Sequence, residues 1–241
     1  NGGSLSSRGL VYGGDWGNVL LSSDVTVGGA ALSTIASQLN LQGNRTFTVG
    51  DGSTLDVTGA LTFWSWEGAS AGTLTKAGNG TLRLPAASSF GGAVTLAAGT
   101  LIYQSTYASP SHAVAAGTLL EFSVGGSGER NSASTLFSGG GTLRKTGTGG
   151  IIWGAGVATF ALDAGALIDV QEGVFTGGSN GNEVRTNNKS DLNVAAGAVF
   201  NGVEANVRVN RLSGAGTVKS GYPGAGYQAM AIGVDNGSGS F

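Results

Sequence analysis

Cleaving a polysaccharide requires two or three carboxylates converging on one exposed face. The 14 Asp and Glu residues of this chain are spread almost evenly along it. The closest sets are Asp51 with Asp56, and Asp163, Asp169 and Glu172. Asp51 and Asp163 stand at glycine corners, where Asp is an ordinary turn residue, so a structural role is expected for both sets. His112 is the sole histidine, beside Ser109-Pro-Ser111. A nucleophile–base–acid triad would need partners that no motif marks, and a surface loop is the expected place for this side chain. With no cysteine and one histidine, metal sites built on clusters of those ligands are excluded. The glycine runs also lack the recurrent Gly-Gly-x-Gly-x-Asp of calcium-binding nonapeptides. No catalytic residue, metal or cofactor is expected.

Aromatic residues give the one hint of a ligand surface. In Leu61-Thr-Phe-Trp-Ser-Trp66, alternation puts Leu61 and Phe63 on one face and Trp64 and Trp66 on the other. If Leu61 and Phe63 face the core, Trp64 and Trp66 form a candidate ligand-binding pair that could stack on sugar rings or dock a neighbouring chain. The favoured reading is plainer: a loop covers them, such as the Gly-rich segment 1–18 with Trp16. Three triplets, at Asn44, Asn79 and Asn188, fit the glycosylation sequon. Such triplets arise by chance in a chain rich in Asn and Thr. Residues 179–191 form the most polar stretch and read as a loop.

The elements that would carry these residues are short strands. Of 241 residues, 46 are Gly and only 11% are charged, while 40% are hydrophobic. Glycine does not fall at every third position, which excludes collagen. Alternation of apolar with polar residues, as in Arg45-Thr-Phe-Thr-Val49 and Thr54-Leu-Asp-Val57, opposes a disordered linker. Only 34–39 reads as a possible helical turn. The net charge of −2 and scattered Lys and Arg argue against nucleic acid as a partner. No run approaches the roughly 20 apolar residues of a membrane span.

Self-comparison shows an apolar strand, a glycine corner and a second apolar strand five times, centred on Gly52, Gly99, Gly117, Gly165 and Gly197. A unit of about 16 to 18 residues, sometimes skipped over, fits those spacings. A second element recurs as Gly72-Thr-Leu-Thr-Lys76, Gly141-Thr-Leu-Arg-Lys145 and Gly216-Thr-Val-Lys219. Strands this short bury a face only by stacking as rungs about 4.8 Å apart. Their apolar side chains would point inwards, with Thr, Asn, Lys and Arg outwards. The fold expected is all-β, a right-handed parallel β-helix (β-solenoid) of about a dozen short rungs. Residues 1–35 would be irregular Gly- and Ser-rich first rungs or a cap, and 36–241 one continuous β-helix.

Residues 70–101 resemble the autotransporter-associated β-strand repeat found in passenger regions of bacterial autotransporters and related surface proteins. The resemblance lies in Gly72-Thr-Leu-Thr-Lys-Ala-Gly-Asn-Gly-Thr-Leu-Arg-Leu84, the Phe90-Gly-Gly92 turn and Val94-Thr-Leu-Ala-Ala-Gly-Thr-Leu101. A degenerate copy covers 139–170, and a partial one begins at 214. The resemblance implies a non-enzymatic, extracellular structural or adhesive segment of a bacterial cell-surface protein. It would act as a stiff stalk or as a filament subunit stacking end to end. The partners expected are further copies joined through the end rungs, or a host-surface or glycan receptor. The chain reads as an excised piece of something longer. A carbohydrate-binding or polysaccharide-cleaving β-helix protein is the alternative.

Overall fold

The computed structural model describes residues 2–6, 18–63, 65, 68, 70–84, 88–104, 107–126, 129–132, 135–153, 158–176, 187–202, 206–219 and 229–241. Among them every element is a β-strand, and every strand pair is parallel. The chain winds as a β-solenoid. Ten strands stack into the longest sheet, from Ser4–Ser6 through Thr54–Val57, Thr100–Tyr103 and Thr142–Thr146 to Leu212–Gly214. A seven-stranded sheet forms the second face, from Val25–Val27 to Thr159–Leu162. Two five-stranded sheets share the third: one runs from Val19–Leu21 to Tyr107–Ala108, the other from Glu129–Ser132 to Thr217–Lys219.

The rung count is lower than the dozen expected. The longest ladder holds ten strands and the next seven. Rungs are longer than the 16-to-18-residue unit that the glycine spacing suggested: Thr81 pairs with Thr100, and Thr142 with Leu167. Their lengths therefore run from 19 to 25 residues at these two steps. The glycine corner repeats on only one side of each rung, and a third face must be crossed before it returns. Residues 34–39 are not helical. They belong to the strands Leu32–Ala36 and Leu39–Leu41, since Ile35, Leu39 and Leu41 must all reach the interior.

Register explains the core. Leu55, Leu82, Leu101, Leu120, Leu143, Ile168 and Leu192 are successive partners along the ten-stranded sheet, and none is more than 1% exposed. Each burial contributes about 2 kcal/mol. An aromatic column runs beside them. Phe137 stacks on Phe160 at 5.3 Å, Phe160 meets Phe175 at 6.0 Å, and Phe175 stacks on Phe200 at 5.8 Å.

Stacking parallel rungs also fixes where side chains cannot exist. The five repeat glycines all have positive φ, a conformation that L residues rarely adopt. Gly72 is excluded from substitution differently: a Cβ there would overlap the carbonyl of Gly43 in the adjacent rung. Backbone, not a flexible side chain, fills that space. Gly72→Ala should therefore cost about 3 kcal/mol or more. Gly28→Ala, where a Cβ would meet nothing within 4 Å, should stay within about 1 kcal/mol. Urea unfolding of the two variants reads the difference; equal midpoints would contradict the corner packing.

Candidate functional site

The repeat that singles out residues 70–101 resolves into one local device. Thr73, Thr75 and Ala77 point outwards from the strand Ala71–Ala77, while Gly72, Leu74 and Lys76 are buried. Lys76 was expected outside with the other cations. It shares the parity of Leu74, so strand alternation carries it inwards, and it is 0% exposed. Its ammonium lies where the strand turns, donating to the carbonyls of Ala77 at 3.0 Å, Gly78 at 2.6 Å and Ala98 in the next rung at 3.1 Å. Those carbonyls belong to a tight corner and have no strand to pair with. The lysine satisfies them from inside.

Lys145 repeats the arrangement. It too is 0% exposed, and its Nζ donates to the carbonyls of Thr146 and Gly147, both at 2.6 Å, and of Glu172 at 3.3 Å. Burial pushes both ammonium groups down to about 8; at Lys145 the nearby Glu172 and Glu121 partly oppose this. Lys219 does not repeat it. Gly216-Thr-Val-Lys219 is one residue shorter than Gly72-Thr-Leu-Thr-Lys76, so the lysine has the opposite parity and is exposed. The three copies lie in three different sheets. The motif is a local strand-and-corner unit and not the address of one face.

The other candidates are structural too. His112 was expected on a surface loop, but it lies in the strand Ser111–Val114 and is 2% exposed. Ser-His-Ala-Val alternates, and Val114 faces the core, so His112 must as well. Its ring stacks on Phe137 at 5.0 Å and meets Tyr107 at 5.3 Å and Tyr103 at 5.8 Å. Nδ1 lies 2.9 Å from the Thr135 hydroxyl. Burial pushes its pKa down to about 3.

Asp169 is 3% exposed and fully engaged. Arg144 Nε donates to its Oδ2 at 2.9 Å, and Gln171 and Asn193 donate to its Oδ1 at 2.5 and 2.8 Å. Glu172 accepts from the Gly147 amide at 3.1 Å, holding the Lys145 corner. Asp56 sits opposite Arg83 in register, and Asp51 occupies a turn. Among the described residues no three His, Cys, Asp or Glu side chains group as metal ligands. The Asn188 sequon is closed: Asn188 is 1% exposed, accepting from the Leu162 amide and donating to the Ser190 hydroxyl and the Arg208 carbonyl. Trp64 and Trp66 lie outside the described residues, as does most of the polar 179–191 stretch.

Fold and corners together define a parallel β-solenoid built from a short strand-and-corner repeat, with its titratable groups committed to holding the rungs. A passenger-associated-transport-repeat family model matches residues 74–102. That span starts at Leu74 of the lysine corner and runs through the Gly99 corner to Ile102. The match and the solenoid fit an autotransporter passenger β-helix repeat. Searches of curated proteins and of solved structures each gave no match. Among the described residues no helix is long and apolar enough to cross a membrane.

Lys76→Met should lower stability by about 2 to 4 kcal/mol, because it leaves corner carbonyls buried without a donor. Lys219→Met should change it by less than about 0.5 kcal/mol. Thermal melts of the two proteins at pH 7 make the comparison.

His112 sets an acid limit. Its folded pKa near 3 lies below the unfolded value of 6.5, so between those values the unfolded chain binds the extra proton. Stability is complete above pH 6.5 and falls as the pH drops, by at most about 1.4 kcal/mol per pH unit. Unperturbed carboxylates titrate only near pH 4, and this is the one histidine. Denaturant midpoints from pH 6.5 to 4.5 should therefore fall in the native protein and stay flat in His112→Phe.

Proposed function

We propose that this chain is a non-enzymatic segment of an autotransporter passenger, displayed outside the cell as a stiff structural or adhesive shaft. One observation carries the reading: the matched repeat at 74–102 is not an appendage but two consecutive turns of an uninterrupted solenoid. Its Gly72, Lys76 and Gly99 make the corners on which neighbouring rungs rest. A shaft needs such units and little else. The acids weigh in the same direction, since Asp169 and Glu172 are bound to neighbouring rungs and do not converge on an open face. Further copies stacked through the end rungs, or a receptor bound along the side, are the partners such a shaft would take.

Surface display tests this. Placed between an export signal and a membrane-spanning β-barrel in a Gram-negative host, the chain should reach the cell surface and resist added protease. Solution scattering of the purified chain should show an elongated particle. Retention inside the envelope, or a compact equant particle, would overturn the reading. Cleavage or tight retention of any polysaccharide in a broad panel would favour a carbohydrate-active protein instead.

A further inference from the structure

The two large faces of the solenoid differ in chemistry. Outward positions of the ten-stranded sheet carry a row of partners, Asp56, Arg83, Ile102, Glu121, Arg144, Asp169 and Asn193. Several bond to one another across rungs, as Arg144 and Asn193 do to Asp169. The matching row on the seven-stranded sheet is Thr46, Thr75, Thr95, Ala113, Ser138 and Ala161, each in register with the next. Every residue in it is small and none is charged. The side chains of Thr75 and Thr95 make no hydrogen bond within the described residues, although both strands are fully paired through their backbones. Asp24 and Arg45, which adjoin this face, are held by backbone: Asp24 accepts from the Thr46 amide at 2.8 Å, and Arg45 donates to the carbonyls of Leu21 and Asn44. Beside the row stands Leu136, 38% exposed, next to Ser111 and Thr159 in register.

We propose that this face is a lateral contact surface for a second copy of the same chain. A flat row of small side chains at the rung spacing packs best against another row with that same spacing, because only then do all positions interdigitate together. A second copy supplies that period by construction, and a two-fold axis brings the same patch to both sides. Charge gives the second argument. An uncharged face has nothing to attract an acidic or basic partner, whereas two such faces meet without desolvating an ion. No aromatic ring stands in the row to stack on a sugar, which disfavours a glycan occupant. Size sets the strength. Seven strands at about 4.8 Å give a patch about 30 Å long, smaller than the roughly 800 Å² per partner of a stable dimer. One pair of chains therefore associates weakly, and many copies tethered side by side hold together by avidity. The inference rests on face chemistry alone and stands whether or not the chain is a passenger.

The absence of native cysteine makes the test direct. Ala113→Cys places a single thiol in the row, and Ile102→Cys places one on the opposite sheet as a control. Under mild oxidation the Ala113→Cys chain should form disulfide dimers at least tenfold faster than the Ile102→Cys chain. Adding Thr95→Arg to Ala113→Cys should return the rate to the control value, while unchanged circular dichroism shows that the fold survives. Beads coated with the native chain should cluster, and beads carrying Thr95→Arg should not. Equal cross-linking at the two sites, clustering indifferent to Thr95→Arg, or beads that bind a neutral polysaccharide but not each other would each overturn the proposal.

Discussion

The fixed distance between successive rungs governs this molecule. Parallel strands hydrogen-bond at about 4.8 Å, and a chain that climbs one such step per turn brings each corner down upon the corner before it. Glycine is the response where backbone meets backbone, as Gly72 meets Gly43. An internal cation is the response where carbonyls converge with no strand to bond, as at Lys76 and Lys145. The leucine and aromatic columns are the same constraint seen from inside: once register is set, like side chains must lie above like.

Much of this was legible from residue order. Alternation located the strands, and the glycine corners at Gly52, Gly99, Gly117, Gly165 and Gly197 are all left-handed in the folded chain. Residues where composition and parity disagree were harder to read. Charge argues that Lys76 belongs outside and polarity argues the same for His112, yet both follow the parity of the apolar residue two positions away. Counting from Leu74 to Lys76, or from Val114 back to His112, would have placed them. The rung count was illegible for another reason: corners mark one side of a turn, and the length of the third-face crossing leaves no periodic signal. Trp64 and Trp66 fall where the described strand Leu61–Thr62 has ended, so alternation no longer applies to them.

The chemistry of a low-charge chain follows from these placements. Only 11% of residues are charged, and several of these bridge rungs. Arg144 joins Asp169, Glu172 holds the Gly147 amide, and Asp191 accepts from the Arg211 amide. Each contact links residues some 20 to 25 positions apart, which is one turn of the coil. Polar side chains here act as stays between neighbouring turns, and the absence of any convergence among them is what a load-carrying element requires.

The exposed Lys219 shows how such a chain can change over generations. Its motif differs from that of Lys76 by one missing residue, and that deletion turned an interior clamp into a surface cation. Within a strand, then, length is counted in twos: losing one residue exchanges inside for outside until a corner resets the count. Between strands no such arithmetic holds, as the 19-residue and 25-residue turns on the same ladder show. Variation is thereby channelled to the corners and crossings. The lineage can remodel what the shaft presents to its surroundings while the ladder beneath keeps its step.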